Sequence, residues 1–384
     1  MNENTNSHSF AIVAAEPSGD LLGGGVVNEI KDIDHDAQFI GIGGNNLLEA
    51  GVELILNIKD ISAMGLMDPL KNIKRWAEIY AKFRLLCKKK NVSAVILIDS
   101  YDLNIRLAGA LKRDGVRVMW YVGPKVWAWR KNRLKVLKKR VDLVALLFKF
   151  ELELYNNENI PAIYTGHPLA EKLEKKFKNC DIGILKKKIL NDNVFPDAKI
   201  VSLFPGSRED EIKRHGSVLV ECAALLQKQG FTPVISIFNN STSAQNLKKL
   251  AANFKIIVWE KDSGTLLKSS EFAVAVSGTV TLEAAILETP MVIIYKIDRV
   301  SFFVGKYVLN LPYVGLPNWI AQKKIITEIF QEDVTAENIS NQIVANIEHK
   351  KFVKQKLELR SIKSLIHKND SYKKVAMSFL ELVK

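Results

Sequence analysis

Apolar, β-branched runs of strand length recur along the chain, at 10–15, 39–44, 94–99, 116–122 and 143–148, and again at 200–207, 233–238, 255–260, 272–278 and 291–297. Stretches of helical length separate them, and in 102–113 and 131–139 apolar and basic residues recur at helical spacing. Strands alternating with helices predict βαβ units, and strands without polar interruption predict parallel sheets covered on both faces. The expected fold class is α/β, with two Rossmann-like domains in tandem at residues 1–175 and 176–345. A polar, lysine-rich passage at about 170–197 is the expected connection. From about 335 the chain carries the helical pattern without further strand candidates, so one or two closing helices are expected, with residues 346–384 set apart as the closing helical segment. In this class of sheet, ligands bind outside the carboxyl ends of the strands, so the chemistry is expected just after strands, in a cleft between the two sheets.

The length of 384 residues suits two domains, and 47% apolar with 25% charged residues is a globular balance that excludes a disordered or fibrous chain. No run approaches the roughly 18 apolar residues of a spanning helix, and the first residues lack the basic start and apolar segment of a secretory signal, so a cytosolic chain is expected. Cys87, Cys180 and Cys222 are odd in number and widely spaced, which predicts reduced thiols rather than a disulfide framework or a CxxC metal site. The net charge of +13 is local: residues 101–150 hold 13 Lys/Arg against 3 Asp/Glu, and 351–384 hold 9 against 3. Such clusters suit an anionic partner, whether nucleic acid, an acidic membrane or a phosphorylated substrate. Solvated helix faces are the plain alternative.

The segments after the strands carry most of the candidate chemistry. After the first strand come Glu16, Ser18, Gly19, Asp20 and the triplet Gly23-Gly24-Gly25, where small residues let backbone approach a ligand and a helix N-terminus offers free N–H groups. The spacing is neither GxxxxGK[ST] nor GxGxxG, so a triphosphate cradle and a dinucleotide fingerprint both fail; helix-to-sheet packing is the competing reason for the glycines. Asp99 ends a strongly apolar strand, where partial desolvation raises the basicity needed to take a hydroxyl proton, and it competes with Asp102 for the role of helix cap. Trp120, Trp127 and Trp129, running into a basic helix, fit a sugar-, lipid- or base-stacking surface, or simply a core beside a solvated helix.

In the second half, Gly206-Ser207-Arg208 follows a strand and precedes a helix, a good diphosphate site because arginine supplies a forked, always-charged donor. Ser277-Gly278-Thr279 offers backbone and hydroxyl donors to phosphate, and Glu283, one turn later, can accept from ribose hydroxyls; a capping box is the alternative. Asn318 sits in a loop held by Pro312 and Pro317. After Pro69, an amphipathic pattern with Leu70, Ile73 and Trp76 on its apolar face, preceded by Met64, Leu66 and Met67, fits an interfacial membrane helix, and equally a helix packed on a sheet. The six histidines lack metal-ligand spacing, and Asp32-Ile33-Asp34 lies away from any strand mouth, so no metal site is expected.

In order, the segments AEPSGDLLGG, GIGG, MGLMDPL, IDSYDLNIRL, YVGPKVWAWR, GHPLAE, LFPGSR, SGTVTLEAA, TPMVIIYK and GLPNWIA resemble the lipid-A-disaccharide synthases, glycosyltransferase family 19, across roughly residues 10–325. The resemblance implies the GT-B fold and an inverting transfer of 2,3-diacylglucosamine from its UDP donor to 2,3-diacylglucosamine 1-phosphate, in lipid A synthesis, without a cofactor or metal. It assigns Asp99 as catalytic base and Gly206, Ser207, Arg208, Ser277, Gly278, Thr279, Glu283 and Asn318 to the nucleotide. To the acceptor side it assigns Glu16, Ser18, Gly19, Asp20, Asn104 and Arg106, and to a membrane face Met64, Leu66, Met67, Leu70, Ile73 and Trp76. The closing helices are expected to pack back on the first domain, bringing the basic clusters onto one docking face. The partners implied are the UDP-diacylglucosamine donor, the diacylglucosamine 1-phosphate acceptor and the anionic inner membrane of a Gram-negative bacterium, on its cytoplasmic side; nucleic acid is not implied, and a homodimer is compatible. Where the family usually has Ser-Pro-Ser, this chain has Gly123-Pro124-Lys125, and GIGGNN at 41–46 replaces a commoner form. A metal-independent UDP-N-acetylhexosamine 2-epimerase is the alternative enzyme of this architecture. A nucleic-acid-binding protein would leave the Gly/Ser/Arg turns unexplained.

Overall fold

The structure, a computed structural model, describes residues 8–63, 73–126, 132–190, 198–297, 312–348 and 350–384. The chain forms two compact units, Met1–Pro168 with Lys368–Lys384, and Leu169–His367. In the first unit seven parallel strands lie in the order β3-β2-β1-β4-β5-β6-β7. They are β1 (Ser9–Ala14), β2 (Gln38–Gly43), β3 (Glu53–Asn57), β4 (Ala94–Ile98), β5 (Arg117–Tyr121), β6 (Leu143–Leu146) and β7 (Ala162–Tyr164). The helices between them are α1 (Pro17–Ile33), α2 (Asn45–Glu49), α3 (Ile58–Ala63), α4 (Ile73–Lys89), α5 (Tyr101–Arg113), α6 (Asn132–Arg140) and α7 (Leu152–Asn157). Every residue of β4 is buried, as an unbroken AVILI run in a two-faced parallel sheet must be.

After α8 (Pro168–Phe177) and α9 (Ile182–Ile189), a six-stranded parallel sheet follows in the order β10-β9-β8-β11-β12-β13. Its strands are β8 (Ile200–Phe204), β9 (Thr232–Ser236), β10 (Ile257–Trp259), β11 (Phe272–Val276), β12 (Met291–Tyr295) and β13 (Thr327–Phe330). They alternate with α10 (Glu209–Lys228), α11 (Thr242–Asn253), α12 (Ser263–Lys268), α13 (Thr279–Ile286) and α14 (Leu316–Ala321). The chain then closes with α15 (Ala336–Glu348), α16 (Lys351–Ile366) and α17 (Ser371–Glu381).

All ten apolar runs contain a strand, and three further strands, β3, β7 and β13, lie at sheet edges; β3 and β13 each carry a glutamate, and β7 is only three residues long. The tail differs from expectation. It has three helices, and only the last joins the first unit, where Phe379 meets Phe10 edge-on at 5.1 Å and the Tyr372 ring packs against Gly25 so closely that a Cβ there would lie 2.4 Å from it. Helix α16 stays with the second unit, where Gln355 accepts from the Met291 N–H (2.7 Å) and donates back to its carbonyl (3.1 Å), acting as a strand partner for the start of β12. The basic tail is thereby divided: residues 351–367 hold five basic against one acidic residue, and 368–384 hold four against two.

Trp76, expected on a membrane face, is 4% exposed and belongs to the core between α4 and the sheet, with Tyr80 and Phe83 beside it. The helix-on-sheet alternative holds at this position, because an indole that can be buried against apolar strands gains more there than at a wet surface. Met64, Leu66, Met67 and Leu70 lie outside the described residues, and Ile73 opens α4.

The Phe10–Phe379 contact joins the first strand to the last helix, so Phe379→Ala is expected to destabilise the first unit by about 3–5 kcal/mol. Urea unfolding followed by hydrogen exchange in β1 measures this; an unchanged midpoint would show that α17 adds nothing to that core.

Candidate functional site

Each sheet reverses its strand order once, between β1 and β4 in the first and between β8 and β11 in the second. At such a switch point the connections leaving adjacent strands run to opposite sides, and a gap opens at the carboxyl ends. Glu16 follows β1, and Asp99 follows β4; Gly206-Ser207-Arg208 follows β8, and Ser277-Gly278-Thr279 follows β11.

In the first unit the β4 exit is strained. Asp99 and Ser100 have φ of +46° and +42°, a left-handed pair that non-glycine residues adopt at a cost of about 1–3 kcal/mol each unless the surroundings hold them. The surroundings do hold them. The Asp99 N–H donates to the Tyr121 carbonyl at the end of β5 (3.0 Å), and the Asn104 amide donates to the Ile98 and Asp99 carbonyls (3.0 Å each). Burial, with Glu16 adding to it, raises the Asp99 carboxyl above the ordinary carboxylate range, while Lys125 and the Ser100 N–H oppose the rise. Glu16 is exposed, and the Ser100 hydroxyl approaches its carboxylate at 3.4 Å.

The other acceptor-side expectations divide. Ser18 and Arg106 are exposed, and the Arg106 charge acts on the buried Tyr80 hydroxyl of α4. Gly19 is buried where a Cβ would meet Ile98 at 3.3 Å, so it lets α1 lie close on β4. Asp20, 2% exposed, accepts from the N–H groups of Gly44 (2.6 Å), Asn46 (3.0 Å) and Leu47 (3.2 Å) and from the Asn46 side chain (2.7 Å), clamping the start of α2. Asn104 is likewise bonded to backbone. It is fully buried and braces the Asp99 turn from behind. Trp120 is fully buried against Tyr101, which excludes it from a stacking surface, while Trp127 and Trp129 lie outside the described residues.

In the second unit the Gly206-Ser207-Arg208 turn is already capped from within. Glu211 accepts from the N–H groups of Ser207 (2.9 Å) and Arg208 (3.1 Å), and Asn239 donates to the Ser207 carbonyl (2.8 Å). Gly206, at φ +110°, leaves room for that carboxylate, since a Cβ there would lie 2.5 Å from it. The Ser207 and Arg208 amides thus build the turn, while the Arg208 guanidinium is open, 80% exposed and only loosely paired with Glu211 at 3.6 Å. Below the turn, His215 accepts from the Lys296 N–H at Nε2 (3.0 Å), so Nδ1 must carry the proton it donates to the Glu211 carbonyl (2.7 Å). Burial lowers its pKa and keeps this ring neutral. Gln331 clasps both backbone groups of Ile297, at 2.9 and 3.0 Å.

Beside this turn the Ser277 hydroxyl donates to the Val314 carbonyl (3.2 Å), and Gly278 and Thr279 are exposed at the start of α13, where no side chain caps the first turn. Glu283 is one helical turn beyond Thr279 on the same face, half-buried, and accepts from the Ser263 hydroxyl. Burial raises its pKa, with Asp262 adding and Ser263, Lys172 and Lys176 opposing. Asn318 is bonded within its own loop. Fully buried, it donates to the Ile326 carbonyl (3.0 Å) and Glu328 (2.8 Å) and accepts from the Ile325 and Ile326 N–H groups (2.9 Å each). Glu328, on β13, in turn accepts from the Val314 (3.1 Å) and Gly315 (2.8 Å) N–H groups, and so holds the loop that meets Ser277.

Sequence reasoning did not reach Glu211, His215, Glu328 or Gln331. Only Glu211 had a local signal, a glutamate three residues after the turn's arginine at a helix start.

The chain is similar to known proteins along almost its whole length. The model of the Lipid-A-disaccharide synthetase family matches residues 10–379. A lipid-A-disaccharide synthase of Coxiella burnetii is 34% identical over 340 residues, 88% of each chain, and that of Geobacter sulfurreducens is 33% identical over 348 residues, 89% of this chain and 88% of the other. Among solved structures, a glycosyltransferase from Rickettsia africae is similar with a TM-score of 0.60 at 16% identity over 99% of both chains. The UDP-GlcNAc 2-epimerase of Neisseria meningitidis is similar with a TM-score of 0.65 at 13% identity, over 97% of this chain and 100% of the other. At those identities the solved structures speak to the GT-B fold alone, and the epimerase likeness favours no epimerase reading. The sequence matches carry more: this chain belongs to the Lipid-A-disaccharide synthetase family.

Proposed function

We propose that Asp99 is the general base, and Arg208 with the open first turn of α13 the diphosphate-binding groups, of an inverting glycosyltransferase. The chain joins UDP-2,3-diacylglucosamine to 2,3-diacylglucosamine 1-phosphate, giving lipid A disaccharide 1-phosphate and UDP. The observation that carries the residue assignment is the strained, desolvated Asp99 at the β1/β4 switch point.

An inverting transfer is one in-line displacement. The acceptor hydroxyl oxygen bonds to the anomeric carbon, its proton passes to a carboxylate, and the bond to the UDP oxygen breaks with its electron pair leaving on the diphosphate. Asp99 supplies the carboxylate, and its raised pKa makes it a stronger proton acceptor than an ordinary aspartate. Arg208 and the free N–H groups at Thr279 and Val280 neutralise the departing charge, the guanidinium as a fork and the helix start through its dipole. Glu283 accepts from the ribose with the lone pairs that Ser263 leaves free. Asp20, Asn104 and Asn318 bond the backbone around these strand ends and support the groups there.

We also assign a docking role to α6. Lys135, Lys138 and Lys139 lie at i, i+3 and i+4 and are exposed, while the three acidic residues of 101–150 are each paired, Asp102 with Arg133, Asp114 with Arg84 and Asp142 with Lys112. A positive helix face of this kind suits an anionic bilayer, the surface on which diacylated substrates reside.

Asp99→Asn is expected to fold normally and lose a factor of about 10²–10⁴ in kcat for disaccharide formation, measured as UDP release; near-normal turnover would remove Asp99 from the mechanism. In the unsubstituted protein kcat/KM should fall as pH drops through the Asp99 pKa, because protonation removes the base. That fall should lie at higher pH than an unperturbed carboxylate would give.

Arg208→Met should weaken UDP binding by about tenfold or more, the loss of one charge-assisted contact, with little change in melting temperature. Equal UDP affinity by calorimetry would free Arg208 from the nucleotide. Replacing Lys135, Lys138 and Lys139 with Gln should reduce binding to vesicles containing phosphatidylglycerol by about 1 kcal/mol per lysine, most clearly at low salt. Binding indifferent to both charge and salt would exclude α6.

A further inference from the structure

The loop after β5 has no role in the reaction as described, yet it is built with unusual care. The β4–β5 pairing sets Ile98 opposite Tyr121, and the Asp99 N–H bonds the Tyr121 carbonyl, so the chain leaving β5 starts beside Asp99. Its first residue, Val122, has φ of +68°, a left-handed conformation that a β-branched side chain strongly resists. Val122 is held there from both ends, its N–H on the Ala145 carbonyl (3.0 Å) and its carbonyl under the Trp120 indole N–H (3.1 Å). Gly123 is packed so tightly that a Cβ would lie 2.6 Å from Leu146 and 2.7 Å from the Tyr155 hydroxyl. Val126, 1% exposed, anchors the far side and donates to the Pro124 carbonyl (2.6 Å). Between these anchors the one exposed residue is Lys125.

We infer that Lys125 is a positioning residue for the transfer, an ammonium that the strained β5 loop holds beside the Asp99 carboxylate so that the carboxylate stays charged between turnovers. The inference rests on Asp99 being the base. Charged groups reach Asp99 from two directions: Glu16 at the entry of α1 makes its ionisation harder, and Lys125 makes it easier. On the neighbouring helices Asp102 of α5 is paired with Arg133 of α6, and Asp20 of α1 is bonded to the start of α2. Strain of this order persists where the surrounding structure enforces it, and here it fixes the base of a long, otherwise wandering side chain.

The test is the pH dependence of kcat/KM for disaccharide formation in Lys125→Met, Lys125→Arg and Glu16→Gln. Removing the cation should move the acid limb to higher pH by about one unit, the low end of the effect of a nearby opposite charge because Lys125 is exposed. Lys125→Arg should restore the limb, and Glu16→Gln should move it the other way. A limb that stays in place in Lys125→Met overturns the inference. So does a loss that is equal at every pH with a raised KM for the acceptor, which would make Lys125 a ligand of the acceptor phosphate instead. The two readings fail separately: an active Asp99→Asn protein sinks the assignment of the base, whereas an inactive one with an unmoved Lys125→Met limb sinks only the role of Lys125.

Discussion

A parallel strand covered by helices on both faces can keep almost no unpaired polar side chain along its length, since each costs roughly 1–3 kcal/mol to bury unpaired. Strands β4, β8 and β11 obey this, being buried throughout, with Ser202 of β8 bonded to the Phe272 carbonyl; Tyr121 and Ser236, each the last residue of its strand, are the buried hydroxyls left without a hydrogen bond among the described strands. Polar chemistry is therefore driven to the strand ends, and the strand order decides which ends are accessible. Each sheet has one reversal, and the residues with open polar groups gather there: Glu16 and Asp99 in the first unit, Arg208, Thr279 and Glu283 in the second.

At the same strand ends a second set of polar residues is spent on the fold. Asp20, Asn104, Glu211, Asn318 and Glu328 bond to backbone groups of the turns, and His215 and Gln331 hold the chain leaving β12. These bonds fix what the open groups need. Asn104 bears on Asp99, Glu211 on Arg208, and Glu328, through Val314, on Ser277. Substituting a member of this set would abolish activity as surely as removing a substrate contact, but through a turn that no longer holds its shape. Loss of activity alone does not separate the two sets; burial and bonding partners do.

The alternation of apolar runs with helical stretches was enough to read two parallel α/β units, because β4 or β11 can be nothing but buried strands. Edge strands such as β13, sequence TEIF, escaped because an edge needs only one covered neighbour and tolerates glutamate. That Asp99 and Arg208 stand just after strands, and Glu283 one turn into a helix that follows a strand, was legible because each comes soon after an unbroken apolar run. The backbone bonds of Asp20 and Asn318 were not legible for one physical reason: a side chain after a strand can aim at solvent or at its own backbone, and sequence carries no sign of which. Trp76 shows the same ambiguity on a helix, where a stripe of apolar residues between lysines describes a membrane surface and a sheet-packed face equally well. The closing helices were assigned together because nothing local in α16 reveals that Gln355 finds its partner on β12.

The environment of Asp99 answers two demands that pull in opposite directions. A base accepts a proton better as its pKa rises, yet it works only while ionised, so the useful pKa lies not far below the working pH. Burial and Glu16 push Asp99 toward stronger basicity, and the Ser100 N–H and the Lys125 ammonium pull it back. Asp99, Ser100 and Val122, at the neighbouring exits of β4 and β5, all take the left-handed conformation. On the proposed reading, that local backbone carries the two groups, the Ser100 N–H and Lys125, whose effects oppose those of burial and Glu16 at the base. The balance it sets would shift with either charge while the fold stayed as it is.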